Sequence, residues 1–237
     1  MADARRSIFR SRRMAVVFML GFSSGLPLML TGQTLQQWLK DGNLSTTQIA
    51  AFASVALPYT FKWLWAPLID RYAWPFLGRR RGWLVVLQLA IAGTLFAMSA
   101  IDPFVDAARL AIIATVVATL SATQDIVVDA YNRDILSVEE RAAGSATYVL
   151  GYRTAMLVSG SLTLVLADHM AWSIVYTAMA VLMLACVVTT LFAEEPERPD
   201  RAPLTLARAV YEPFAEFFRR LGLRRALLVL GFAMAYK

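Results

Sequence analysis

The sequence has one cysteine, Cys186, and one histidine, His169. A lone cysteine cannot close an intrachain disulfide, so a disulfide scaffold is excluded. A lone histidine excludes His-rich metal sites and His-pair hydrolase motifs. No metal-ligand set and no catalytic set can be assembled around it. Charge is scarce too: Asp, Glu, Lys and Arg supply 17% of the 237 residues, against roughly 25% in a typical soluble domain. What replaces it is apolar. Hydrophobic residues make up 58% of the chain and the mean hydropathy is +0.55. A disordered chain and a collagen-like repeat are thereby excluded. The apolar residues are gathered into runs, the composition of an all-α integral membrane protein.

A membrane-spanning helix needs roughly 20 mostly apolar residues. Six stretches qualify: 14–35, 48–69, 83–101, 110–131, 147–167 and 172–193. A seventh begins near residue 226 and stops with the sequence at 237, too short to cross. The chain therefore reads as an N-terminal segment 1–13, a six-helix bundle 14–193, a linker 194–225 and the start of a seventh helix 226–237, truncated there. The first run fits a cleaved signal peptide poorly: no A-x-A site directly adjoins it and five further spans come after it.

The formal net charge of +6 is a topology signal and not a nucleic-acid footprint. Arg12 and Arg13 close a basic N-terminus that also holds Arg5, Arg6 and Arg10. Arg71, Arg79, Arg80 and Arg81 lie between the second and third spans, and Arg133 and Arg141 come after the fourth. More arginines crowd residues 198–225, whereas the alternate loops hold little beyond Lys40 and Arg109. Positive charge accumulates on cytoplasmic loops, so the N-terminus and the linker are expected inside. From Leu204 the linker has helical apolar spacing, which predicts an interfacial amphipathic helix kinked at Pro213; a short soluble helix is the other reading.

Polar residues at membrane depth are expensive and usually face a bundle interior or a wet cavity. In the fourth span Asp125 and Asp129 are four apart and share a helix face, with Gln124 on its flank. A carboxylate that can exchange a proton is what a proton-coupled carrier needs; a structural ion pair or a helix cap is the plainer alternative. In the fifth span Arg153 is a permanent cation roughly 10–15 Å inside the boundary at 1.5 Å per residue. It is expected to pair with Asp125, or with a substrate carboxylate. Tyr148 and Tyr152 lie on the adjacent face. Gly151, Ala155 and Ser159 form a small-residue row suited to close helix packing. In the second span Lys62 sits about 12 Å from Asp70 along the helix, bracketed by Pro58 and Pro67; snorkelling to the interface is its alternative role. The first span carries Gly21-Phe22-Ser23-Ser24-Gly25-Leu26-Pro27, which predicts either a discontinuous helix at a substrate site or a simple proline kink. Beyond it Gln33 and Gln37 share a face.

Six spans, a charged linker, an amphipathic helix and the start of a seventh span are the plan of half a major facilitator protein, whose halves contain 3+3 inverted repeats. The loop holding Asp70, Arg71, Gly78, Arg79 and Arg80 resembles that superfamily's gating loop, with wider spacing. Three segments carry a closer resemblance: Leu20-Gly21-Phe22-Ser23-Ser24-Gly25-Leu26-Pro27, Phe61-Lys62-Trp63-Leu64-Trp65-Ala66-Pro67-Leu68-Ile69-Asp70, and Ala122-Thr123-Gln124-Asp125-Ile126 through Ala130-Tyr131. Together they are similar to the AmpG muropeptide permease family, as its N-terminal half.

That resemblance implies import of anhydromuropeptides across the inner membrane of Gram-negative bacteria, driven by the proton motive force, for peptidoglycan recycling and β-lactamase induction. The implied partners are a small anionic glycopeptide, protons and membrane lipid; no cofactor, metal or nucleic acid is implied, and the protein is expected to be a monomer. For such a substrate, Lys62 and Arg153 can meet carboxylates. Trp63, Tyr148 and Tyr152 can stack on sugars, and Gln33, Gln37 and Gln124 can bond amide and hydroxyl groups. A related carrier for another anion, such as a CoA ester or small peptide, is the competing function. An integral membrane enzyme would need a catalytic cluster that the sequence does not supply.

Overall fold

A computed structural model describes residues 11–72, 77–196 and 206–235. Every regular element among them is a helix. The chain divides into two units, Met1–Pro199 and Asp200–Lys237.

In the first unit, helix α1 spans Arg12–Thr31 and is started by Ser11, whose hydroxyl accepts the Met14 amide. The ladder breaks at Gly32 (φ −110°, ψ −113°) and resumes as α2, Gln33–Asp41. The expected break at Gly21–Pro27 is absent: α1 runs through it with Pro27 inside the helix. Its glycines have another use. A Cβ on Gly21 or Gly25 would strike the backbone carbonyl of Tyr148 or Tyr152, and one on Gly151 would strike that of Phe18. These glycines let two helix backbones come nearly into contact, and small residues serve that purpose in membrane helices generally.

The second stretch is the most broken. It consists of α3 (Thr46–Ala51), a 3₁₀ turn (Phe52–Ala56), α4 (Leu57–Phe61), a second 3₁₀ turn (Lys62–Leu64) and α5 (Ala66–Arg71). Pro58 and Pro67 occupy the first turns of α4 and α5. A proline has no N–H for the preceding helix, and it fits a first turn, where that N–H would be unbonded anyway. Each proline therefore restarts the helix. For this reason five described helices, and not six, are long and apolar enough to cross a membrane unaided: Arg12–Asp41, Arg79–Ser99, Ala107–Ile135, Arg141–Ala167 and Trp172–Leu191.

Helix α6 is Arg79–Ser99 and α7 is Ala107–Ile135, capped by Asp106. Helix α8 (Arg141–Met156) passes into a π-helical turn, Leu157–Leu162, and out again as α9, Thr163–Ala167. The wider π turn is held by hydroxyls: Thr34 and Thr163 both donate to the Ser159 carbonyl, at 2.6 and 2.7 Å. Helix α10 is Trp172–Leu191. The expected small-residue row is buried throughout at Gly151, Ala155 and Ser159. Leu26, Leu30, Ile91, Leu95, Met98 and Met183 form the bundle core. Ile112, Leu150, Leu157, Val181 and Val188 stand exposed on its outside, an apolar exterior that suits lipid.

The second unit is α11, Leu206–Ala235, with non-helical backbone at Gly222 (φ 70°, ψ 155°). The kink expected at Pro213 falls at Gly222 instead, because only glycine takes that positive φ without strain. Arg5, Arg6, Arg10 and the stretch 197–205 lie outside the described residues.

Candidate functional site

The polar centre of the bundle is built on α7. Lys62 Nζ donates to Asp125 Oδ2 at 3.5 Å, and the lysine side chain is 34% exposed against 11% for the carboxylate. The partner expected for Asp125 was Arg153. That pairing is not present: Arg153 is exposed, and its guanidinium touches Met156 Sδ at 3.8 Å. The second stretch delivers the cation instead, because its broken helix brings the first residue of a 3₁₀ turn against α7. The indole of Trp65 anchors this stretch by donating to Thr123 at 3.0 Å. Asp125 Oδ1 is buried without a protein partner, as are the hydroxyls of Ser24, Tyr59 and Ser121.

Beside this pair lies a buried amide–hydroxyl network, in which Gln124 Oε1 has no hydrogen-bond partner among the described residues. Gln124 and Gln88 both donate to Ser23 Oγ, at 3.2 and 3.3 Å, while Thr190 donates to Gln88 Oε1 at 2.8 Å. It ties α1, α6, α7 and α10 together. Gln124, read from the sequence as a substrate contact, is fully buried within it. Gln88 and Thr190 were not singled out in the sequence, although a glutamine in the middle of the third span carries the same signal that flagged Gln124.

The other expected residues are scattered. The rings of Tyr148 and Tyr152 are tilted by 40° to one another, centroids 6.1 Å apart, on the α8 face near Asp125. Asp129 is exposed one turn from Asp125. It lines a cleft of about 350 Å³ with Asn132, Arg133, Arg141 and Tyr148. Trp63 is 65% exposed. Gln33 is exposed, and Gln37 is bound to Asp41 at 2.8 Å. Asp41 also accepts from Trp172, so Gln37 belongs to a helix-end tie.

At the arginine-rich end, Arg80 is buried and donates to Asp134 at 3.0 Å. Glu195 accepts the backbone N–H groups of Arg80 and Arg81, one on each carboxylate oxygen, at 3.0 Å. It thereby caps the start of α6, where the helix dipole favours an anion. Gly78 (φ 86°) lies against that same carboxylate. Arg13 pairs with Glu194 at 3.1 Å, and Tyr131 donates to the Glu194 carbonyl. Arg71 is exposed over the Tyr72 ring. The Asp70 side chain lies outside the described residues. Glu195 and Asp134 were missed in the sequence; an acidic residue among arginines was the available signal.

Residues 9–236 match the family profile of the Major Facilitator Superfamily. The chain belongs to that superfamily. It is therefore a multi-pass membrane protein of a transporter family. It is 46% identical over 231 residues to the anhydromuropeptide permease of Escherichia coli K12, covering 97% of this chain and 46% of that protein. The permease of the same name from Escherichia coli O157:H7 matches equally. An uncharacterized protein of Haemophilus influenzae is 41% identical over 239 residues, covering 100% of this chain and 56% of that one. The chain spans about half the length of the curated relatives it matches.

Within a facilitator half, these two arginine environments predict opposite mutational outcomes. Arg80→Gln removes the buried arginine on Asp134 and leaves it, among the described residues, only the exposed Arg133, 3.6 Å away. Losing one partner of a buried pair typically costs about 3–5 kcal/mol, and Arg133 offsets only part of that. It should lower the thermal midpoint in detergent sharply. Arg153→Gln should leave that midpoint nearly unchanged, because the exposed guanidinium has no carboxylate partner among the described residues. Equal losses in the two variants would contradict both placements.

Proposed function

We propose that this chain forms the N-terminal half of a proton-coupled importer that carries anhydromuropeptides across the bacterial inner membrane for peptidoglycan recycling. The observation that carries the substrate is the 46% identity, over nearly the whole chain, to a protein named anhydromuropeptide permease. The proton is assigned to Asp125, a carboxylate that is buried yet paired with a partly exposed lysine. No cofactor is needed; the proton motive force is the energy source.

The arginine-rich end is assigned to the cytoplasm by the positive-inside rule. Thr46→Cys and Glu139→Cys test this, since both positions are exposed and the one native cysteine is buried. In intact spheroplasts an impermeant thiol reagent should label position 46 and spare position 139. The reverse pattern would invert the topology.

Uptake is tested with the full-length protein in liposomes, given labelled anhydromuropeptide and an acidic exterior. Accumulation should track the imposed pH gradient and disappear with a protonophore. Full-length protein that accumulates a CoA ester but no muropeptide would replace the substrate assignment.

A further inference from the structure

We propose that Lys62 is the receptor for a carboxylate of the substrate, and that this carboxylate and Asp125 take turns on it, so that substrate entry obliges Asp125 to take up a proton. This rests on the importer reading above and supplies its coupling step.

The pair is poised to be broken. Its N–O distance of 3.5 Å is long beside the ~2.7–2.9 Å of a tight charge-assisted bond. It uses Oδ2 alone, and Oδ1 has no protein partner. The exposure is unequal, with the lysine side chain about three times as accessible as the carboxylate. An anion arriving from solvent therefore reaches the ammonium before it reaches Asp125. Lys62 also opens a 3₁₀ turn between two proline-started helices, so its backbone is not held by an uninterrupted helical ladder.

The neighbouring groups determine how Asp125 responds once Lys62 is taken. Around Asp125 stand Tyr59 and Lys62 from the second stretch, Asp129 on α7 itself, Tyr148 and Tyr152 from α8, and Ser24 from α1. Lys62 is the cation paired with Asp125; it also acts on Asp129, on which Arg133 of α7 acts as well. When a substrate carboxylate occupies the ammonium, Asp125 loses the cation that offsets its burial, while Asp129 still has Arg133 acting on it. A buried carboxylate deprived of its partner is unstable as an anion and takes a proton. The step balances. Lys62-NH₃⁺ with Asp125-COO⁻, plus substrate-COO⁻ and H⁺, becomes Lys62-NH₃⁺ with substrate-COO⁻ and Asp125-COOH. One O–H bond forms and no net charge is added to the site. Release of substrate returns Lys62 to Asp125 and expels the proton.

The test uses full-length protein in detergent, in weakly buffered solution with a pH indicator, and anhydromuropeptide as ligand. Wild-type protein should take up protons as ligand binds. An analogue with its carboxylates amidated should bind at least tenfold more weakly, without uptake. Lys62→Gln should behave as wild type does with the amidated analogue. Asp125→Asn is the discriminating variant: it removes the internal competitor for Lys62, so it should bind ligand several-fold more tightly and take up no proton. It needs no change at Lys62, and so it decides the matter even if Lys62→Gln fails to fold. Weakened binding in Asp125→Asn, or undiminished proton uptake in Lys62→Gln, would overturn the exchange while leaving muropeptide import standing. Failure of wild-type protein to bind any anhydromuropeptide would instead remove the substrate assignment, and this proposal with it.

Discussion

Asp125→Asn is expected to abolish accumulation of substrate against a gradient while leaving exchange across the membrane intact. Asparagine matches the shape of the carboxylate, so the helix contacts of α7 survive. Lys62 loses its anion, but its side chain is 34% exposed and can be hydrated. What is lost is the group that gains and releases a proton. A carrier without that group can only equilibrate its substrate, because a gradient drives transport only through differential binding. In liposomes loaded with unlabelled substrate, counterflow of label should continue. Under an imposed pH gradient the internal concentration should fall to parity with the external one. Retained accumulation would move the proton site to Asp129, one turn along the same helix.

The second large effect is structural. Gly151→Val should prevent the bundle from assembling in its native form. A Cβ at 151 already collides with the Phe18 carbonyl and comes within 3.1 Å of the Phe22 amide nitrogen. Both obstacles are backbone, so neither can rotate away. Overpacking typically costs about 1–3 kcal/mol, and a branched side chain against fixed backbone belongs at or above the top of that range. Gly93→Ala is the control, since a Cβ there meets nothing within 4 Å and alanine is about 1 kcal/mol the better helix former. Monodisperse protein should vanish on size-exclusion chromatography for the first variant and persist for the second. Monodisperse Gly151→Val protein would show that α1 and α8 are not in such close contact.

Five of the six expected spans were legible because hydropathy and length are properties of a segment by itself; the second, 48–69, is broken into short helices. Pro58 and Pro67 were visible in the sequence as the residues bracketing Lys62, and the structure restarts a helix at each. The Gly21–Pro27 motif shows where such reading stops. A glycine that breaks a helix and one that admits a neighbouring backbone look alike until the neighbour is known. Here Tyr148 and Tyr152 supply the neighbour. Arg153 failed for a related reason. The rule that a buried cation needs an anion is sound, but it presumes burial, and burial depends on the rotation of the fifth span about its axis. That span is apolar on several sides, with Leu150 and Leu157 exposed on the bundle surface beside Arg153. The sequence pattern therefore did not say which way the arginine points. Lys62 and Asp125 were both recognised, yet their pairing crosses 63 residues of chain and required the fold.

The π turn at Leu157–Leu162 has a consequence for how related chains should be aligned. An α-helix advances about 100° per residue, and a π turn accommodates an extra residue without shifting what lies on either side of it. Counting from α8 through to α9 by α-helical rules therefore misassigns the faces of Thr163 and everything after it by about one residue. A related chain that lacks one residue here can present the same two packing faces through a plain helix. Its correct alignment then has a single-residue gap in the middle of an apolar segment, where gap penalties are usually set to forbid one.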